Sequence, residues 1–269
     1  MTTLFIRWNA TPEIISLFNG GLQIRWYGLF FALAFLLGYY IFMFIAKREK
    51  IAVTLIDNLT LYVAIGTILG ARLGHCLFYE PEYYLKNPLE ILFVWHGGLA
   101  SHGGAIGVII ALYLLSKKYK ISNVWLLDRI SIAVALAAFF IRMGNLMNSE
   151  IYGVATTLPW GFVFIRNGEM LPKHPTQIYE GLAYLIIFFV LCLLYLRCSK
   201  LPRPGLLLGI FLVSVFSARF VIEFIKEPQV AFETTMIINM GQLLSIPFII
   251  AGVIILWRMP AKHSTVDSN

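Results

Sequence analysis

Trp26-Tyr27-Gly28-Leu29-Phe30-Phe31-Ala32-Leu33-Ala34-Phe35-Leu36-Leu37-Gly38-Tyr39-Tyr40-Ile41-Phe42-Met43-Phe44-Ile45-Ala46 contains no charged side chain. An α-helix needs ~20 predominantly apolar residues to cross ~30 Å of hydrocarbon, and this run supplies them. It is too long for the apolar region of a signal peptide and lacks a basic segment before it and a small-residue cleavage site after it, so it is expected to remain as a span.

The rest of the chain repeats the pattern. Of its 269 residues, 59% are hydrophobic and only 13% charged, with a mean hydropathy of +0.79. Soluble domains carry roughly 25% charged residues. These values predict an all-α polytopic integral membrane protein forming a single transmembrane domain over residues 1–269. Its seven helices are expected near 24–46, 57–79, 97–116, 125–148, 175–197, 205–226 and 237–258. Turn and cap signals bound them at Asp57-Asn58, Ser122-Asn123, Pro175 and Pro202/Pro204. Pro247 falls inside the last helix and is expected to kink it. Cys76, Cys192 and Cys198 lie in or at the end of apolar runs and read as small core residues, with neither a disulfide nor a metal site expected.

Seven spans put the termini on opposite sides. Lys47, Arg48, Lys50, Lys117, Lys118, Lys120, Arg197, Lys200, Arg203, Arg258 and Lys262 fall on one side; Arg7, Arg25, Lys86, Arg166, Lys173 and Lys226 fall on the other. The richer side is expected to be cytoplasmic, with the N-terminus outside, the C-terminus inside, and residues 149–174 as the longest outward-facing loop. The net charge of +7 thus speaks of orientation, and no nucleic-acid partner is expected.

Four basic residues fall inside spans. Arg129 follows Asp128 at a cytoplasmic helix end, where snorkelling would satisfy the pair. Arg72, Arg142 and Arg219 each lie a turn or two below the outer end of a helix. An arginine there costs ~2.5–3.5 kcal/mol on insertion scales and normally faces a partner or water. His102, Tyr27, Glu150, His174, Gln177 and Glu180 are expected at the same depth, His102 about five residues inside its helix. Glu223 could pair with Arg219 at i,i+4, and Glu180 could neutralise Arg72 or Arg142. Polar residues from six helices meeting at one level predict a cationic pocket in the outer leaflet, suited to a phosphate. Gly66-Gly70-Gly74 and Gly103-Gly107 have the four-residue spacing of close helix packing. Beside His102, Gly103 and Gly104 could instead let a substrate approach the backbone.

Arg142-Met143-Gly144-Asn145-Leu146-Met147-Asn148-Ser149-Glu150-Ile151-Tyr152-Gly153 resembles the G-R-x-G-N-F-x-N-x-E-x-x-G signature of bacterial prolipoprotein diacylglyceryl transferases. Ile24-Arg25-Trp26-Tyr27-Gly28, Gly70-Ala71-Arg72-Leu73-Gly74 and His102-Gly103-Gly104-Ala105-Ile106-Gly107 are similar to further segments of that family. So are His174-Pro175-Thr176-Gln177-Ile178-Tyr179-Glu180, Arg219-Phe220-Val221-Ile222-Glu223-Phe224 and Met240-Gly241-Gln242-Leu243-Leu244-Ser245-Ile246-Pro247. The order is that of the family. Ile141 stands where the signature has Gly, Leu146 where it has Phe, Ser149 in a slot often filled by Gly, and Val215 where some members carry Tyr.

The resemblance implies an enzyme of the bacterial cytoplasmic membrane, with its active site in the outer-leaflet half. It would move the diacylglyceryl group of phosphatidylglycerol to the lipobox cysteine of a prolipoprotein signal peptide, giving a thioether-linked lipid and glycerol phosphate. Its partners would be those two substrates and membrane lipids, with no metal or organic cofactor. Arg142 and Arg219 are the leading phosphate ligands, because a guanidinium is always charged and offers a planar fork. His102 is the candidate base for the thiol. Asn145, Glu150, Gly153, Tyr27, Gly103 and Gly104 are assigned to the headgroup. Arg72, His174, Gln177, Glu180, Glu223 and Gln242 are assigned to the surrounding polar lining. A transporter or channel for an anionic solute would share intramembrane arginines, but commonly shows repeated halves and broken midplane helices. An intramembrane protease would need a Ser/His pair on separate helices or paired intramembrane aspartates, and neither is recognisable in this sequence.

Overall fold

Helices form where the apolar runs lie, because a backbone inside hydrocarbon must satisfy its own hydrogen bonds. The computed structural model describes residues 5–17, 22–94, 98, 100–197, 203–228, 233 and 236–258. Among them are seven long helices: α1 (Trp26–Glu49), α2 (Val53–Phe78), α4 (Ser101–Tyr119), α5 (Asn123–Met147), α6 (Thr176–Arg197), α7 (Leu206–Ile222) and α8 (Met240–Trp257). A short helix, α3 (Pro81–Lys86), follows α2. Six of the long helices are long and apolar enough to cross a membrane. The other, α4, has 19 residues but begins Ser101-His102-Gly103-Gly104 and ends with Lys117 and Lys118 in its last turn. Pro247 lies inside α8, and the helix continues past it.

The chain divides into two compact units, Tyr39–Leu127 and the remainder. In the Tyr39–Leu127 unit, α2 and α4 meet backbone to backbone. A Cβ on Gly66 would stand 2.6 Å from the carbonyl oxygen of Gly107, and one on Gly74 would stand 2.7 Å from the Cα of Gly103. The glycine repeats are therefore a packing seam, and Gly103 belongs to it. Arg72 is buried and turns to the connection after α3. It donates to the carbonyls of Glu90, Ile91 (3.1 Å) and Gly98 (3.4 Å), and its guanidinium lies 5.0 Å from the Tyr84 ring centroid.

Among its described residues, the other unit contains four strands that the hydropathy pattern did not announce. β1 (Ile6–Trp8) pairs in parallel with β4 (Phe162–Phe164), and β2 (Glu13–Leu17) pairs antiparallel with β3 (Leu22–Arg25). Leu146, Phe162 and Phe164 make a small core covered by Trp8, Tyr152 and Ile178. Trp8 Nε1 donates to the Leu146 carbonyl at 3.0 Å, tying β1 to the end of α5. The 149–174 connection is thus a structured module.

In the same unit, Asp128 and Arg129 do not snorkel. Both are buried, 3.8 Å apart. Asp128 Oδ2 accepts from the Gly205 N–H at 2.7 Å and Oδ1 from the Leu208 N–H at 2.9 Å. A carboxylate is thereby fixed on the orphan donors and positive dipole end of α7.

Candidate active site

The signature segment closes α5 and turns out of it. Gly144 is where Tyr27 lies against α5, since a Cβ there would meet the Tyr27 ring at 2.6 Å. Tyr27 is also within the electrostatic reach of Glu150 and Arg142. One turn along, Arg142 Nη1 donates to Asn145 Oδ1 at 3.2 Å, and Asn145 Nδ2 donates to Glu150 Oε1 at 2.7 Å. Asn148 Nδ2 reaches the same oxygen at 3.3 Å. The i, i+3 spacing of Arg142 and Asn145 puts them on one helix face, and the turn brings Glu150 back over them.

On its other edge, Arg142 faces α6. Its Nε is 2.8 Å from Glu180 Oε2, an ion pair by distance that lacks hydrogen-bond alignment. Glu180 Oε1 accepts from Lys226 Nζ at 2.9 Å and from the Tyr184 hydroxyl at 3.4 Å. Lys226 Nζ also donates to Glu223 Oε2 at 3.1 Å, and Arg219 Nε lies 4.0 Å from that oxygen. Arg142, Glu180, Lys226, Glu223 and Arg219 therefore form a chain of alternating charge with a cation at each end. Its middle is dry, with Glu180, Lys226 and Glu223 side chains 0%, 2% and 7% exposed. Exposure rises at the ends, to 12% for Arg142 and 31% for Arg219. The Nε atoms of both arginines are buried without an aligned hydrogen-bond acceptor. A chain of three cations and two carboxylates, with a guanidinium at each end, carries a surplus positive charge suited to an anion.

Lys226 does not face outward as a solvated loop residue, where the charge count had placed it. Its backbone forms a bridge with Gly153, while its side chain runs inward between the two glutamates. The Glu223-Phe224-Ile225-Lys226 spacing of i,i+3 was the available signal.

Several expected lining residues have architectural tasks. A Cβ on Gly153 would run into the Ile225 carbonyl oxygen, so glycine lets the 149–174 module close on the segment after α7. A Cβ on Gly241 would meet a Glu223 carboxylate oxygen at 2.5 Å. Gln242 completes a capping box with Asn239 at the start of α8. His174 Nδ1 is 3.2 Å from the Tyr179 hydroxyl, which also accepts from Trp160 Nε1 at 2.9 Å. Burial pushes the His174 imidazole below its ordinary pKa, favouring the neutral ring. Lys173 bonds to Glu227 and lies 3.3 Å from Glu169; burial pulls its pKa down, but the two carboxylates outweigh that and raise it. Gln177 Nε2 donates to the Glu150 carbonyl at 2.7 Å.

His102 and Gly104 belong to the Tyr39–Leu127 unit, like Arg72. His102 is the second residue of α4, not the fifth or sixth, and is exposed. The helix begins later than expected because Gly98 has a φ of +68° and Ala100 is extended. Gly104 is buried, and a Cβ there would meet Ala71 only at 3.6 Å. Among the described residues, no group of three or more His, Cys, Asp and Glu side chains is placed to hold a metal.

A sequence profile of the prolipoprotein diacylglyceryl transferase family matches residues 12–258. The chain belongs to that family. It is 47% identical to the phosphatidylglycerol–prolipoprotein diacylglyceryl transferase of Chloroherpeton thalassium, over 96% of this chain and 95% of that one. Proteins of the same name from Tolumonas auensis and Porphyromonas gingivalis are each 48% identical, covering 93% and 94% of this chain and 95% and 94% of theirs. Within the family segments, the charged chain draws Arg142 from the signature, Glu180 from the His-Pro-Thr-Gln stretch, and Arg219 and Glu223 from α7 and its end.

Proposed function

We propose that this protein transfers the diacylglyceryl group of phosphatidylglycerol to the thiol of a lipobox cysteine in a prolipoprotein signal peptide. The alternating chain with an arginine at each end is the observation that carries this reading. In the reaction, sulfur attacks the glyceryl carbon and a C–S bond forms. The C–O bond to phosphate breaks, glycerol phosphate leaves, and the thiol proton passes to a base. Charge grows on the phosphate as that bond breaks, and fixed donors aimed at developing charge lower the barrier most. Arg142, held by Asn145 and Glu180, and Arg219, held by Glu223, take that task. The protein would sit in the bacterial cytoplasmic membrane with its N-terminus outside and this site in the outer leaflet.

A transporter for an anionic solute needs two compartments, whereas a transferase does not. The purified protein in detergent, given phosphatidylglycerol and a lipobox peptide, is expected to release glycerol phosphate in proportion to peptide modified. Peptide-independent release, or none, would count against transfer.

Two further expectations follow from the same reading. Met170 is 90% exposed on the 149–174 module. In a cysteine-free background, Met170→Cys should react with an impermeant thiol reagent applied to intact cells. Reaction only after lysis would reverse the orientation. For His102, the base assignment predicts that His102→Gln, which keeps a hydrogen bond but accepts no proton, loses on the order of 10²-fold in rate at neutral pH. The loss should shrink at alkaline pH, where a free thiol of pKa ~8.5 ionises unaided. Identical pH–rate profiles for His102→Gln and wild type would leave thiol activation to the arginines.

A further inference from the structure

Three successive carbonyls in the turn after α5 are each held by a side chain from elsewhere in the chain. The Ser149 carbonyl accepts from Asn167 Nδ2 at 2.7 Å, that of Glu150 from Gln177 Nε2 at 2.7 Å, and that of Ile151 from Thr176 Oγ1 at 2.9 Å. The backbone there requires holding. Ser149 and Ile151 have φ of +56° and +60°, the left-handed region that residues with a Cβ avoid and β-branched residues avoid most. Glu150 sits between them, and its carboxylate is the one that accepts from Asn145 and Asn148. Asn145 in turn accepts from Arg142. An unbroken series of hydrogen bonds thus runs from Asn167, Gln177 and Thr176, through the strained turn, to the guanidinium at one end of the charged chain.

We infer that Asn167, Thr176 and Gln177 are positioning residues for the substrate phosphate: they hold the turn in its left-handed form so that Glu150, through Asn145, orients Arg142. The inference rests on the reading of Arg142 as a phosphate ligand. Thr176 and Gln177 are buried in the first turn of α6, whereas Asn167 is exposed on the 149–174 module. Asn167 therefore permits a substitution that leaves the interior of the protein intact.

The test uses the full chain purified in detergent. KM and kcat are measured with phosphatidylglycerol, and its Kd separately, from the lipid-dependent rise in melting temperature. Asn167→Ala and Thr176→Val each remove one clamp and are expected to raise KM and Kd for phosphatidylglycerol roughly tenfold, the equivalent of one hydrogen bond, with a smaller change in kcat. Glycine adopts the left-handed conformation without a Cβ clash, so glycine in the turn should replace the clamp. Ser149→Gly in the Asn167→Ala background, and Ile151→Gly in the Thr176→Val background, are expected to return Kd to within about twofold of wild type. A clamp that serves only general folding would not be relieved by glycine at a single left-handed position. An unchanged Kd in Asn167→Ala, or no recovery on adding Ser149→Gly, overturns the inference. Should Thr176→Val fail to fold, the Asn167 pair decides the matter alone. A wild-type protein that binds phosphatidylglycerol without modifying peptide overturns the transfer reading but leaves the Kd comparison intact.

Discussion

Arg142→Ala and Arg219→Ala are expected to abolish transfer in practical terms, each lowering kcat/KM by ~10²–10³-fold, as loss of a fixed donor to developing charge does elsewhere. Both proteins should insert and extract like wild type. Arg142 lies at the end of the charged chain with its side chain only 12% exposed, while that of Arg219 is 31% exposed. Removing Arg219 thus leaves Glu223 with Lys226, and removing Arg142 leaves Glu180 with Lys226, so neither carboxylate is stranded. Lysine at either position should also be poor, since an ammonium cannot offer two parallel N–H groups to one phosphate. Initial rates over a range of phosphatidylglycerol concentrations check this. Wild-type kcat/KM in Arg219→Ala would reduce that residue to a structural partner of Glu223.

Lys226→Met should be the most disruptive change to the fold itself. Lys226 is the shared cation of Glu180 and Glu223, at 2.9 and 3.1 Å, and all three side chains are at most 7% exposed. Lys226 is an aligned hydrogen-bond donor to both carboxylates, whereas Arg142 Nε meets Glu180 without hydrogen-bond alignment and Arg219 Nε lies 4.0 Å from Glu223. Removing Lys226 therefore breaks two buried pairs at once, a loss of ~3–5 kcal/mol by the usual cost of breaking one. Without Lys226, the two carboxylates have only Arg142 and Arg219 to pair with, and the chain loses its surplus positive charge. The melting temperature in detergent and the affinity for phosphatidylglycerol should both fall. Lys226→Arg, which keeps the charge, should retain most of both. A Lys226→Met protein as stable and as active as wild type would contradict the alternating chain as the organising element of the site.

Lys226 also marks where sequence reasoning stops. Counting charges by side treats every lysine in a connection as solvated, and this one is turned inward by a backbone bridge to Gly153 that no local pattern announces. The spans were legible because hydrocarbon thickness imposes long apolar runs, and the long helices α1 and α6 lie within a few residues of the expected bounds. Three-residue strands such as Ile6–Trp8 and Phe162–Phe164 are too short to show a period. The pairing of Glu180 with Arg142 was one of two options that spacing allowed, and only packing separates them: Arg72 spends its donors on carbonyls after α3. α4 starts at Ser101 and not near residue 97 because Gly98, with a φ of +68°, still belongs to the preceding connection, a backbone conformation that apolar periodicity does not show. The Ser149 position gave a hint in plain view. The resemblance to the family signature marks this slot as one where glycine is expected, and its φ of +56° here is a conformation that suits glycine better than serine.

The central claim is that this chain joins a diacylglyceryl group to a lipobox thiol. Mass spectrometry of a synthetic lipobox peptide, incubated with the purified protein and phosphatidylglycerol of defined acyl chains, tests it most directly. The account predicts one diacylglyceryl adduct on the cysteine, stable to thiol reductants as a thioether is, absent when that cysteine is replaced by serine and absent with Arg142→Ala protein. An unmodified peptide in the presence of folded wild-type protein, or an equal adduct with Arg142→Ala, would contradict it.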